Sequence, residues 1–217
     1  MRAVVFDRDG VLTHFDVSLL RAFFEPLVPL PLAEIAARWQ GWCERGACPR
    51  TLAEESGFWA GFWDGLASEL GLPPATRDRL HAFDYTASIR AFPESRAALA
   101  RARARGLRVG VLSNFPLASL DASLHAAGLA DLIDVACSAS VIGAPKPAAP
   151  AYLAIAHALD AEPAECFFFD DEPACVEGAR VLGLRAFWVD RSREKHSLGE
   201  RIVRDLDALS EILDESL

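Results

Sequence analysis

Apolar positions along this chain follow two rhythms. Short, mainly apolar runs stop abruptly at polar residues: Ala3-Val4-Val5-Phe6 before Asp7, 107–112 before Ser113-Asn114, 166–169 before Asp170-Asp171, and 185–189. Runs of this length, rich in β-branched and aromatic residues, predict strands buried on both faces, as in a parallel sheet covered by helices. One more strand is predicted over 133–137. Between them the apolar period lengthens toward 3.6, predicting helices over 93–105, 116–127, about 151–159 and from Pro173 to Gly183. An amphipathic helix is expected over 206–213. Gly106, Gly128 and Gly183 stand where such helices close. Strands alternating with helices imply a doubly wound parallel sheet.

Residues 15–88 break this alternation and show helices without a convincing strand. A short helix over 17–24 ends at Pro26, Pro29 and Pro31, and a second covers 32–45. Thr51 and Glu54 form a capping box ahead of a long helix that stops near Gly71. A last helix, about 75–83, is entered through Pro73-Pro74. The expected architecture is therefore a Rossmann-like α/β core from 1–14 and 89–217, with a helical insertion over 15–88. Trp39, Trp42, Trp59 and Trp63 fall in that insertion at helical spacing, beside Phe58 and Phe62. They are expected to fill its core, with the alternative that one or two face a substrate cleft.

The length of 217 residues suits one sizeable domain or a domain with an insertion, and the 52% hydrophobic content suits a real core. A formal net charge of −9 argues against nucleic acid or an anionic membrane as partner. Asp7 interrupts any signal-peptide pattern, no apolar run approaches a membrane span, and the five cysteines lack paired spacing. A cytoplasmic protein is expected, with Cys43 and Cys48 structural.

The polar residues that end the strands differ in kind. Asp7 and Asp9 follow the first, Ser113 the run over 107–112, and Asp170 with Asp171 the Phe-rich one; Lys146 lies in a loop before a helix. In a parallel sheet such ends converge on one edge, where open α/β sheets bind ligands. Several hard oxygens there suit Mg²⁺, and a serine hydroxyl with a lysine suits a phosphoryl group. Gly10 supplies a sharp turn after the two acids.

Taken together, these stretches resemble the haloacid dehalogenase superfamily. Asp7-Arg8-Asp9-Gly10-Val11-Leu12 is similar to its first motif, and Ser113 after Val109-Gly110-Val111-Leu112 to its second. Lys146 in Lys-Pro-x-x-Pro is similar to the third. Phe168-Phe169-Asp170-Asp171 before Val176-Glu177-Gly178-Ala179-Arg180 is similar to the fourth. The insertion sits where the family's type 1 cap does.

The resemblance implies a Mg²⁺-dependent phosphohydrolase of small phosphorylated metabolites with an aspartyl-phosphate intermediate, as a monomer or homodimer. Asp7 would be the nucleophile and Asp9 the acid and base. Ser113, Lys146, the Asn114 backbone N–H and Gly10 would surround the phosphoryl group. Asp7, the Asp9 carbonyl and Asp171 would hold the metal, with Asp170 either a further ligand or a supporting group. A phosphomutase or a catalytically weak binding protein is the alternative. The fourth motif departs from the common Gly-Asp-x-x-x-Asp form, placing Cys175 where the second acid stands and leaving the orientation of Lys146 open. Family dehalogenases lack the second acid of the first motif, so Asp9 points to phosphoryl transfer. Arg8 is expected to leave the strand on the side away from the phosphate, and His14 to be a surface residue.

Overall fold

The computed structural model describes residues 1–46 and 48–215. Strand β1 (Ala3–Phe6) is fully buried along its length and lies at the middle of a six-stranded sheet. Its neighbours are β4 (Arg108–Ser113) and β6 (Cys166–Asp170), both parallel to it, with Phe6 opposite Val111 and Phe169. β5 (Val135–Ser138) lies beyond β4, and β7 (Arg185–Val189) and β8 (Ile202–Val203) lie beyond β6, all parallel. The continuous apolar strands are thus buried on both faces, as parallel sheets require.

Helices cover the two faces. α5 (Ser95–Ala104), α6 (Leu120–Ala126) and α10 (Leu209–Asp214) flank the face of Val4, Phe6 and Phe169. α8 (Ala149–Ala158) and α9 (Pro173–Val181) flank the face of Val5, Phe168 and Cys166, and the short α7 (Ala139–Ile142) follows β5. Phe167, Phe168 and Phe169 have no exposed surface. Burying each contributes about 1.5–3 kcal/mol, enough for β6 to carry buried Asp170 at its end.

The helical insertion stands on a two-stranded antiparallel ribbon, β2 (Thr13–Phe15) with β3 (Ile89–Ala91), in which His14 faces Arg90. Between its arms run α1 (Val17–Phe24), α2 (Leu32–Arg45), α3 (Leu52–Glu69) and α4 (Pro74–His81). Phe24, Ile35, Phe62, Trp63, Leu66 and Leu80 form their common core. Trp39 and Trp59 stack on its edge at 4.2 Å between ring centroids.

Three local differences from the sequence expectation stand out. The ribbon strands are three residues each, too short for any alternation to register. The helix expected over 116–127 begins only at Leu120, with Ser119 as its N-cap residue. Glu55 of α3 accepts the Ser119 N–H at 2.9 Å and its hydroxyl at 2.5 Å, which satisfies a donor at the helix start and ties the insertion to the core. The segment 206–213 divides into a 3₁₀ turn, Leu206–Ala208, and α10.

Candidate active site

Because β4, β1 and β6 are adjacent and parallel, their carboxyl ends bring Ser113, Asp7 and Asp170 together. The Asp7 N–H continues the ladder, donating to the Phe169 carbonyl at 2.8 Å. One carboxylate oxygen from each of Asp7, Asp170 and Asp171 lies within 4.8 Å of the others. Lys146 enters from the loop before α8 and is 4% exposed. Its Nζ donates to Asp7 Oδ1 at 2.8 Å and to Asp170 Oδ2 at 2.6 Å.

Asp170 thereby orients Lys146, and Cys175 has no part in it. The other oxygen of Asp170 accepts the Glu172 N–H at 2.8 Å, while Cys175 Sγ turns to the Glu172 carboxylate at 3.2 Å. Asn114 secures the lysine from behind. Its Oδ1 accepts the Lys146 N–H at 2.7 Å and its Nδ2 donates to the Lys146 carbonyl at 2.9 Å. Gly178 of α9 makes room for this loop, since a Cβ there would come within 2.8 Å of Pro147 Cβ and 2.9 Å of its carbonyl oxygen. Ser113 is buried, and its Oγ accepts the Phe115 N–H at 3.2 Å, leaving its hydroxyl proton to donate elsewhere.

Gathering three carboxylates around one lysine leaves excess negative charge in a poorly solvated place. Burial pushes Asp7 up to about 7, against the pull of Lys146 and with the push of Asp170 and Asp9. Burial, then Asp170, raises Asp171 to about 6, and burial also raises Asp170 despite Lys146. Burial alone would lower Lys146, but Asp7 and Asp170 together raise it above the ordinary lysine value. A divalent cation would relieve this excess, and carboxylate oxygens are the donors a hard cation prefers.

Gly10 keeps the space beside Asp171 open. Its φ is +74°, and a Cβ would sit 2.1 Å from Asp171 Oδ2. Gly10→Ala therefore meets two penalties, left-handed backbone strain of about 1–2 kcal/mol and displacement of Asp171. The variant is expected to melt lower and to bind Mn²⁺ or Mg²⁺ at least tenfold more weakly by calorimetry. Wild-type affinity in the alanine variant would remove Asp171 from the cation site.

A family model described as haloacid dehalogenase-like hydrolase matches residues 1–183. The chain belongs to this family. It is a hydrolase with the family's fold. Over 213 residues it is 45% identical to Phosphatase MT3486 of Mycobacterium tuberculosis, covering 98% of this chain and 96% of that one. Among solved structures, a HAD phosphatase from Thermococcus onnurineus superposes with a TM-score of 0.66 at 20% identity, covering 98% of both chains. An L-2-haloacid dehalogenase from Xanthobacter autotrophicus gives a TM-score of 0.69 at 23% identity, covering 99% of this chain and 98% of that one. At those identities the two structures speak for the fold alone.

In this hydrolase the side chain of Asp9 stands apart from the three clustered acids. Arg8 grips it through two hydrogen bonds, Nε to Oδ1 at 3.1 Å and Nη2 to Oδ2 at 2.6 Å. Arg8, expected to point away from the phosphate, is no bystander. It is fully buried, bonds Ser123 Oγ at 2.9 Å, and lies 3.8 Å over the Phe115 ring. Neither this grip nor the role of Arg191 follows from motif spacing. Arg191 donates to the Gly10 and Val11 carbonyls at 2.7 Å each, pairs with Glu94 at 2.8 Å and lies over Phe92. The available signal was position: Arg191 follows β7 as the other polar residues follow their strands. His14 is exposed and rests on Phe92. All five cysteines are free thiols. Among the described residues no helix is long and apolar enough to cross a membrane.

The crowded acids make the hydrolase's stability depend on pH in a defined direction. Asp7 has an ordinary value of 3.8 and is raised to about 7 in the fold. Between those values the folded chain holds a proton that the unfolded chain has released, so stability falls as pH rises through that window. In chelator, the melting temperature is expected to drop by about 2–8 °C from pH 5.5 to pH 8, and millimolar Mg²⁺ to restore it at pH 8. A cation-independent melting curve at pH 8 would speak against a metal site here.

Proposed function

We propose that this hydrolase is a Mg²⁺-dependent phosphatase of small phosphomonoesters, working through an aspartyl phosphate on Asp7. The observation that carries the reading is the cluster of Asp7, Asp170 and Asp171 within 4.8 Å around one buried lysine. The 45% identity to a protein named as a phosphatase supports it, and so does Asp9, the acid that family dehalogenases lack.

In this reading an Asp7 oxygen attacks phosphorus, forming the acyl phosphate as the bond to the ester oxygen breaks. Asp9 gives that oxygen its proton, so the product leaves as a neutral alcohol. Water then attacks the same phosphorus, Asp9 takes its proton, and Asp7 departs as a carboxylate with inorganic phosphate. Ser113, the Asn114 backbone N–H and Lys146 hold the phosphoryl oxygens, Lys146 as a point charge fixed by Asp170 and Asn114. Gly10 lets the backbone turn close beside them. Asp7, the Asp9 carbonyl and Asp171 would hold Mg²⁺, which supplies charge neutralisation between the nucleophile and the phosphate. Asp170, with both oxygens engaged by Lys146 and the Glu172 N–H, serves as support for the lysine.

The test is release of inorganic phosphate from a panel of phosphorylated metabolites and an aryl phosphate, with Mg²⁺ and with chelator. Turnover that disappears with chelator and returns with Mg²⁺ is expected. Release of halide from 2-haloacids, with no phosphate release from any ester, would overturn the reading.

A further inference from the structure

Between the insertion and the core lies an open-mouthed cavity of about 300 Å³, and its chemistry is one-sided. Among the described residues, Arg8 and Asp9 are its only charged lining residues. The remaining wall includes Phe24, Ile35, Trp39, Trp59, Trp63 and Phe115. Trp63, Trp59 and Trp39 form a ladder, with centroid spacings of 5.5 and 4.2 Å and planes within 12° of parallel. Tyr85 also lines the cavity, but its hydroxyl is already engaged by the Ser119 carbonyl at 3.1 Å and hydroxyl at 2.7 Å. Arg8 has no exposed surface, and its donors go to Asp9 and Ser123.

A sugar or a second carboxylate placed there would lose water and meet mostly indole faces and phenyl rings, which costs free energy that the few polar groups of the wall recover only in part. An apolar group gains on every face it covers. The cavity also meets the reaction at one defined point. Asp9, the group assigned to protonate the leaving oxygen, lines it, whereas Asp7, Asp171 and Lys146 do not. The space beyond Asp9 is thus where the alcohol part of an ester lies, with the phosphate on the opposite side.

Resting on the phosphatase reading, we propose that the substrate is a phosphomonoester whose alcohol carries an aromatic or branched apolar body, seated on the Trp39–Trp59–Trp63 ladder. The leaving group is selected by apolar area, and polar metabolites of similar size are disfavoured.

The experiment compares kcat/KM for ethyl, butyl and 3-phenylpropyl phosphate with glycerol 1-phosphate, all esters of primary alcohols. Acetyl phosphate serves as a substrate that makes no use of the cavity. The expected result is a rise of about three- to fourfold per methylene, and at least about 10²-fold preference for the phenylpropyl over the glycerol ester. Ala36, an exposed residue of α2 at the cavity, provides the second arm. Ala36→Trp should fill the space and reduce the phenylpropyl-to-ethyl ratio at least tenfold, through KM more than kcat. Turnover of acetyl phosphate and glycerol 1-phosphate with no gain for the apolar esters would overturn this inference and leave the phosphatase reading standing. No turnover of any compound, acetyl phosphate included, would overturn both.

Discussion

Asp7→Asn is expected to lower phosphate release by on the order of 10⁴-fold or more, because it removes the oxygen proposed to attack phosphorus and leaves the rest of the site in place. An amide is the same size as a carboxylate and can still accept the Lys146 hydrogen bond. Burial and the neighbouring acids raise Asp7 to about 7, so its charge is a net burden on the fold at pH 8. The asparagine variant should therefore melt a few degrees above wild type in chelator at pH 8, roughly 2–8 °C for about 1–2 kcal/mol. The two chains should melt alike near pH 5.5, where Asp7 holds a proton. Higher stability with lost activity marks a residue placed for chemistry at the expense of the fold. An inactive variant that also melts lower at pH 8 would instead make Asp7 structural.

Lys146→Met should produce the largest stability loss of any substitution in the site. It leaves Asp7 and Asp170, 8% and 1% exposed, without their common cation. Removing one partner of a buried ion pair costs about 3–5 kcal/mol, which for a chain of this size lowers the melting temperature by about 10 °C at pH 8. The deficit has a signed pH dependence. Without the lysine, both carboxyls bind protons more tightly in the fold than in the unfolded chain. The penalty should therefore shrink as pH falls toward 5 and grow as pH rises. Phosphate release should drop by about 10²–10³-fold, the usual loss for one donor to a transferring group. Equal melting of variant and wild type at pH 8 would contradict the ion pairs described here.

Most of the α/β core was legible because a fully buried parallel strand has to read as an unbroken apolar run, and Ala3–Phe6 and Cys166–Phe169 both do. The convergence of Asp7, Ser113, Lys146 and the Asp170-Asp171 pair was legible for the same reason, since parallel neighbours place their ends on one edge. What was not legible depends on contacts between distant segments. The fourth motif left the partner of Lys146 open, and only packing shows Asp170 taking the place that Cys175 cannot fill. Arg8 adjoins Asp9 in the sequence, but its grip depends on Phe115 and Ser123 closing over it. Trp39, Trp59 and Trp63 pack against the core of the insertion and also border the cavity. The N-cap residue of α6, Ser119, is held by a carboxylate 64 residues away, that of Glu55.

The central claim is that Asp7 becomes covalently phosphorylated. The most direct measurement is acid quench of the Mg²⁺-loaded enzyme during turnover, followed by intact mass and by borohydride reduction with peptide sequencing. A fraction of the protein heavier by one phosphoryl group is expected, reduced to homoserine at position 7 and absent from Asp7→Asn. Turnover with no phosphoryl group on the protein, or with the label on another residue, would contradict it.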